Sequence, residues 1–162
     1  MAIALESQSN VWRKVEAYFN SHDGGSASPA AVNAFRALKA YLVSTANATQ
    51  LQFVPFSAAQ IVVNLGYSPD VDSCQVYGWY AKNTGGSDGT DSFIALHNAA
   101  NNASAGITLG LIQDDDREII QIYPQGLDFA TELTVSGATT AFGATESAEA
   151  DAADGFVILG DA

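Results

Sequence analysis

One serine stands in a spacing that hydrolases use for their nucleophile. Residues 85–89, GGSDG, fit the pattern G-x-S-x-G around Ser87. In hydrolases a strand leads into this serine and a helix follows, so that a sharp elbow exposes the hydroxyl. Here a strand-like run precedes the pattern, but the next residues, SFIAL at 92–96, alternate as a second strand does. The context therefore predicts a hairpin loop.

Histidine and cysteine offer little further chemistry. His22 lies in the glycine-rich run SHDGGSAS, His97 lies at the end of a predicted strand, and Cys74 is the single cysteine. A catalytic triad needs a histidine beside a serine and an acid, and a structural zinc site needs four ligands at fixed geometry. One cysteine makes no internal disulfide, which is typical of a reducing compartment. We predict no catalytic residue, no metal site and no cofactor.

The aspartates are the remaining candidates for a cation site, because calcium binds carboxylates in loops. Asp114, Asp115 and Asp116 are adjacent, and six more lie in other predicted loops: Asp70, Asp72, Asp88, Asp91, Asp151 and Asp154. None has the D-x-[DN]-x-[DN]-G spacing of a dedicated calcium loop. We interpret them as turn residues, whose charge also opposes pairing between sheet edges.

Charge excludes several classes of partner. The net charge is −12 with six Lys and Arg residues, so the chain repels phosphate backbones and anionic membrane surfaces. We therefore predict that the chain binds neither nucleic acid nor membranes.

The sequence also lacks the patterns of targeting and membrane-spanning segments. The N-terminus, MAIALESQSN, lacks the basic and apolar regions of a signal peptide. No apolar run approaches the ~20 residues of a membrane span.

The surface is predicted to be polar but weakly charged. Charged residues make up 15% of the chain, against about 25% in an ordinary domain. Small and uncharged residues take their place. Such a surface suits a protein that packs against copies of itself or other partners, and it also suits a salty medium.

The first third of the chain has helical periodicity. Ser9 or Asn10 is predicted to cap a helix over residues 11–20, and Gly24-Gly25 ends it. Ser28 at the N-cap and Pro29 at the first helical position predict a second helix, which fades after residue 43. Its apolar stripe consists of Ala31, Phe35, Leu38 and Leu42. A polar link of this length predicts a two-helix hairpin.

After Thr49 the periodicity changes to that of strands. Eight are predicted, over residues 51–56, 59–65, 74–82, 92–98, 105–113, 117–123, 127–136 and 155–160. Short strands with frequent turns and no interleaved helices predict an antiparallel β-sandwich, of jelly-roll or immunoglobulin-like type. The chain is thus predicted to be mainly β, with a helical hairpin at residues 1–48 and a sandwich domain at 49–162.

The most regular alternation occurs in the seventh predicted strand. One face carries Leu127, Phe129, Leu133 and Val135, and the other carries Asp128, Ala130, Glu132 and Thr134. We therefore expect Phe129 and Leu133 to lie in the core.

Aromatic residues raise the possibility of a carbohydrate-binding surface. The candidates for a stacking platform are Trp12, Trp79, Tyr77, Tyr80, Phe93 and Phe129. At strand or helix spacing such residues are more often part of the core, and we predict that they are buried here.

A succession of short segments in the second half of the chain follows a recognisable order. They are YAKNT at 80–84, LHNAA at 96–100, IIQIY at 119–123, the turn YPQG at 123–126, GLDFATELTV at 126–135 and FVIL at 156–159. This order resembles that of small β-sandwich virion proteins of tailed bacteriophages. The likeness covers about the last half of the chain and excludes the helices.

The resemblance implies a non-enzymatic structural protein that decorates or cements a capsid, with no active site. Its partners would be the major capsid protein, copies of itself, or both, in a homo-oligomer. It would be located in the virion after assembly in the host cytoplasm. There are two alternatives to this structural role. The first is a carbohydrate- or receptor-binding module of a phage appendage, and the second is a small hydrolase built on Ser87 and His97.

The helices lie outside the resemblance, so their apolar stripes need a covering surface of their own. Trp12, Val15, Phe19 and Phe35 are larger than the closure of a hairpin requires, and we predict that they contact a partner. On this view a fragment beginning at Thr49 folds as a β-protein but loses assembly.

Overall fold

The computed structural model describes residues 6–21, 28–45, 50–56, 62–67, 74–83, 92–98, 107–112, 118–129, 133–138 and 153–161. Two helices are followed by most of the strands: β1 Glu6–Ser7, α1 Gln8–Ser21, α2 Pro29–Thr45, β2 Gln50–Phe56, β3 Val62–Tyr67, β4 Cys74–Asn83, β5 Ser92–Asn98, β6 Ile107–Ile112, β7 Glu118–Phe129, β8 Leu133–Ala138 and β9 Ala153–Asp161. The prediction of a mainly β chain with two N-terminal helices is confirmed.

The second helix begins where its sequence predicts. The Oγ of Ser28 accepts a hydrogen bond from the Ala31 amide at 3.2 Å, and the Ser28 carbonyl accepts one from Val32 at 3.1 Å. Pro29 is the first helical residue. Ser28 is therefore the N-cap, and it satisfies donors that the first turn leaves without partners inside the helix.

The first helix begins three residues earlier than the predicted residue 11, so the expected caps, Ser9 and Asn10, lie inside it. The helix directly follows β1, a strand of two residues, which is too short for sequence periodicity to reveal. Gln8, its first residue, donates from Nε2 to the Leu42 carbonyl at 3.4 Å and accepts from Trp12 Nε1 at 3.3 Å. The start of α1 is thereby attached to the end of α2.

The strands pair as one long antiparallel hairpin. The pairs are nested: β5 with β6, β4 with β7, β3 with β8 and β2 with β9. Two further pairings, β4 with β9 and β5 with β8, join alternate levels of this hairpin. The result is a five-stranded sheet of order β1-β2-β9-β4-β7 and a four-stranded sheet of order β3-β8-β5-β6.

The five-stranded sheet has apolar contacts on both faces, as its strand β9 shows. Phe156 and Ile158 lie in a hydrophobic cluster with residues of both helices. Val157 and Leu159 lie in a second cluster, to which the four-stranded sheet contributes Leu96 and Leu133. The run FVIL therefore lacks the polar–apolar alternation of a strand with one wet face.

An extra residue in β4 sets which aromatic side chains face the helices. Val76 pairs with Leu159 and Gly78 with Ile158, so Tyr77 is inserted between consecutive partners on β9. Such a bulge changes the phase of the strand. Tyr77 belongs to the cluster on the helical side, whereas Trp79 belongs to the opposite one.

The predicted turn at residues 123–126 is wrong. Strand β7 runs without interruption from Glu118 to Phe129. Opposite β4, its register passes from Ile122 directly to Leu127, so the four residues between them form a bulge. Gly126 has φ of +81°, a left-handed conformation that favours glycine. The Pro-x-Gly signal thus marks a bulge within a strand at the edge of the sheet.

The predicted single strand over residues 127–136 is also wrong, because the chain changes sheets within it. Phe129 ends β7 in the five-stranded sheet, and Leu133 begins β8 in the four-stranded sheet. Phe129 is nevertheless 2% exposed and Leu133 0% exposed, in the same cluster. The prediction that both are core residues is confirmed.

The helices pack on the sheet. Their buried residues are Val11, Trp12, Val15 and Phe19 from α1, and Ala31, Phe35, Leu38 and Leu42 from α2. All eight belong to one cluster with Leu51, Tyr77, Tyr80, Phe156 and Ile158 of the five-stranded sheet. This hydrophobic cluster extends across the boundary that the sequence predicts between residues 48 and 49.

We predict that Phe129→Ala and Leu133→Ala each lower the free energy of unfolding by roughly 2–5 kcal/mol, because each removes buried atoms and leaves a cavity. Asp128→Ala, at the exposed position immediately before Phe129, is the control and should cost under about 0.5 kcal/mol. Urea unfolding followed by circular dichroism measures all three. A larger loss in the control than in the core variants would contradict the assignment of faces.

In place of the independently folding β-fragment expected from the sequence, we now predict that a fragment of residues 49–162 does not fold cooperatively. Without the helices, Leu51, Tyr80, Phe156 and Ile158 lose the cover of their apolar face, and an uncovered sheet face of this size favours aggregation or unfolding. Thermal unfolding of the fragment beside the full chain is the measurement. A sharp transition and a monodisperse fragment would show instead that the strands form an independent domain.

Candidate interaction surface

Of the residues considered for a hydrolase or a cation site, three sets lie outside the described part of the chain: Ser87, His22 and the Asp114–Asp116 run. His97 lies on β5 opposite Ile107 of β6 and Thr134 of β8, as a backbone position. Among the described residues, no group of three or more His, Cys, Asp or Glu side chains is placed to hold a metal ion.

The aromatic residues considered for sugar stacking are core residues wherever their side chains are described. Trp12, Tyr77, Trp79, Tyr80 and Phe129 are all buried; the side chain of Phe93 lies outside the description. The indole N–H of Trp79 has no hydrogen-bond partner among the described residues. The prediction of burial is confirmed for these five, and they provide no outward platform for a sugar.

The four residues predicted to contact a partner are covered by their own chain. Trp12, Val15, Phe19 and Phe35 are 1–6% exposed and pack in the cluster between the helices and the sheet. Amphipathic periodicity showed that their stripe is buried, but it did not show what covers it. A partner that binds the intact fold must make most of its contacts with other side chains.

The same four residues nevertheless lie together at the base of a groove between the two helices. Val32 completes its apolar lining, and Glu16 of α1 and Arg36 and Lys39 of α2 form its rim. Arg36 and Lys39 are exposed, and neither is paired with an acidic side chain among the described residues. The groove thus combines a narrow apolar base with two solvated cations on one side.

A polar cluster attaches the N-terminal end of α2 to the sheet. The Glu118 carboxylate on β7 accepts hydrogen bonds from the Ser28 amide at 3.2 Å, from the Ser28 hydroxyl, and from the Tyr80 hydroxyl at 2.9 Å. The carboxylate also lies at the positive end of the α2 dipole, which favours its charge. Ser28 therefore acts as a cap and anchor of the helix.

Charges alternate across three strands beside this anchor. Lys82 of β4 lies opposite Glu118 of β7 and opposite Asp154 of β9. Lys82 is 7% exposed and is the charged residue of the buried set. Opposite charges in directly paired positions stabilise a sheet, so this row favours the observed register of β4 between its two neighbours.

Burial alters the acid–base behaviour of three tyrosines in or against the cluster between the helices and the sheet. Burial raises the pKa of Tyr80, and its hydrogen bond to Glu118 and the charge of that carboxylate raise the pKa further. Burial together with the charge of Asp154 raises the pKa of Tyr18. Burial, with the nearby charge of Asp128, also raises the pKa of Tyr77. These hydroxyls hold their protons and act as hydrogen-bonding and packing groups.

Neither the groove rim nor the Glu118 anchor was predicted from the sequence. One signal for the rim was present, because four of the six basic residues lie within the two helices. The anchor joins residues 90 positions apart, which no local pattern reveals.

Neither helix in the described part of the chain has the length and apolar content that crossing a bilayer requires.

Comparison with known proteins adds no relative. No protein-family model matches the chain, and no curated protein matches it either.

We predict that Tyr18, Tyr77 and Tyr80 ionise later than free tyrosine in an alkaline titration. Because the folded state binds these protons more tightly than the unfolded chain, their contribution to stability is complete below pH about 10 and is lost as the pH rises toward the folded-state values. Tyrosinate absorbance and urea midpoints measured across this range test it, and Tyr80→Phe should remove one late ionisation. Simultaneous ionisation of all six tyrosines near pH 10 in the folded protein would contradict it.

Proposed function

We propose that the chain is a non-enzymatic structural protein of a bacteriophage virion, which decorates or cements a capsid. Its strands would form a jelly-roll β-sandwich with the two helices packed on the outer face of one sheet. Its partners would be the major capsid protein and copies of itself, in the assembled particle.

The nested strand pairing is the observation that carries this proposal. The pairs β2·β9, β3·β8, β4·β7 and β5·β6 describe a long hairpin divided between two sheets, with four of its strands in each and β1 added at one edge. Jelly rolls of eight strands pack two such sheets in a double layer and occur in viral capsid and lectin domains. The step from this topology to a virion role is an analogy between folds, and the resemblance of the segment order to phage virion proteins supports the same choice.

The buried aromatic residues favour the capsid role over the lectin role. A sugar-binding face needs aromatic rings that are exposed to solvent, and the described candidates are instead part of the core. The carbohydrate-binding alternative therefore gains no support from the described side chains.

The edges of the five-stranded sheet are built to avoid edge-to-edge aggregation, which suits a protein that binds through its faces and loops. Strand β7 carries the bulge at residues 123–126, with Pro124 and Gln125 exposed, and Pro55 is exposed on β2. Proline and bulges at edge strands prevent further strand pairing. Association through side chains of faces and loops is consistent with a cement protein, whose weak contacts act together over a shell.

Purified bacteriophage particles provide the test of this proposed role. The gene should lie beside genes for a major capsid protein and a scaffold or protease, and mass spectrometry should detect the chain in purified particles. Particles that lack it should rupture at a lower temperature, and addition of the purified full chain should restore their stability. Absence from particles, or an enzymatic turnover that disappears in Ser87→Ala, would contradict the proposal.

A further inference from the structure

In the described part of the chain, every exposed cation lies in the helical layer. Lys82, on β4, is buried. Four basic residues are exposed on α1 and α2: Arg13, Lys14, Arg36 and Lys39. With Glu16 as their single acidic residue, the two helices carry a net charge of +3 in a chain of net charge −12. The helical layer is therefore a cationic surface on an acidic protein.

Two of these cations lie side by side on the rim of the groove between the helices. Arg36 and Lys39 are three residues apart on α2, which makes them neighbours on the helix surface, where like charges repel. Neither is paired with an acidic side chain among the described residues. An anionic group bound beside them relieves this repulsion, so the rim favours an anionic occupant.

The base of the groove selects an apolar group of side-chain size. It is lined by Trp12, Val15, Phe19, Val32 and Phe35, and the groove holds about 270 Å³ of empty space, its open mouth included. Small-molecule sites enclose roughly 300–1,000 Å³ and bury most of the ligand. An open groove of this size instead suits one apolar side chain from a peptide that continues across the surface.

We propose that this groove binds an acidic peptide segment of another protein. The segment inserts one apolar side chain between the helices and places carboxylates beside Arg36 and Lys39. A carboxylate can bind a guanidinium through two parallel hydrogen bonds. Glu16, on the α1 side of the groove, directs the acidic residues of the segment toward α2 by repulsion.

A short peptide fits this site better than the larger polyanions do. Nucleic acids and anionic membranes extend over areas in which the net charge of −12 repels them. A peptide is affected mainly by charges within about 8 Å at physiological ionic strength, and here these include the two rim cations. The inference goes beyond the proposed virion role and does not depend on it.

Fluorescence polarisation of short labelled peptides tests the groove with the purified full chain. The probe has one leucine between two blocks of glutamates. One control peptide replaces the leucine with serine, which removes the apolar anchor. Another replaces the glutamates with lysines, which reverses the charge. We expect the probe to bind with an affinity that falls as salt rises, and both controls to bind about tenfold more weakly or not at all.

Single charge reversals then locate the contact. Arg36→Glu and Lys39→Glu alter the rim, and Arg13→Glu makes the same change at an exposed position of α1 that does not line the groove. Each rim variant should bind the probe about three- to tenfold more weakly, because an attractive contact becomes repulsive. The Arg13→Glu control should stay within about twofold of the wild type.

A gain of affinity separates recognition from damage to the fold. Glu16→Lys removes the acidic side of the rim and should tighten binding of the probe about threefold, which a destabilised groove would not do. Circular dichroism and thermal unfolding check that all variants keep the fold.

Four results would overturn the inference. They are no binding of the probe, equal binding of the peptide without leucine, equal losses in the rim and Arg13→Glu variants, and Glu16→Lys without effect. Two further results would assign the groove to a different occupant. One is binding of an oligonucleotide or of anionic vesicles, but not of the probe, that the rim variants lose. The other is self-association of the chain, measured by sedimentation velocity, that the rim variants lose while the probe fails to bind. The proposed virion role is tested separately, on particles, and survives all of these results.

Discussion

The packing around Phe156 is the interaction on which the helical side of the fold depends. Its ring centroid lies 5.0 Å from those of Tyr18 on α1, Phe35 on α2 and Phe53 on β2. It lies 5.7 Å from that of Tyr80 on β4, in a stacked arrangement. One side chain on β9 thus contacts both helices and both neighbouring strands. Edge-to-face and offset contacts of this kind add to the free energy gained by burial, so the placement of β9 and that of the helices are linked.

The strand that carries Phe156 comes last in the described part of the chain, yet it lies in the middle of the sheet. Strand β9 lies between β2 and β4, so the sheet is complete only after the chain has reached its C-terminal region. Gly155 allows the close approach of β9 to β4, because a Cβ there would overlap the Tyr80 carbonyl oxygen and would lie 2.6 Å from the Phe56 ring. Contacts between residues so distant in sequence make folding slow, since the loops must close before the contacts form.

Local signals predicted the elements of this fold well, and long-range constraints account for the errors. The Ser28 cap followed by Pro29 located the start of α2, because capping is decided within one turn. Pro124 and Gly126 were interpreted as a turn, since the sequence does not show that β4 continues opposite them and converts the turn into a bulge. Trp12 was assigned to a partner because periodicity identifies a stripe that must be covered, while the covering surface comes from strands more than thirty-five residues away.

The Glu118 anchor and the groove occupy different parts of the helical layer and have different consequences. At the N-terminus of α2, three hydrogen bonds to one carboxylate fix the helix on β7 and β4. Farther along the same helix, Arg36 and Lys39 form no hydrogen bond or ion pair with the described part of the sheet and are exposed to solvent. A helix fixed at one end by partly buried polar contacts holds the backbone at these two cationic positions in place without using their charges for its own stability. Because the backbone is already ordered, a partner that contacted the two cations would have to order their side chains but not the helix.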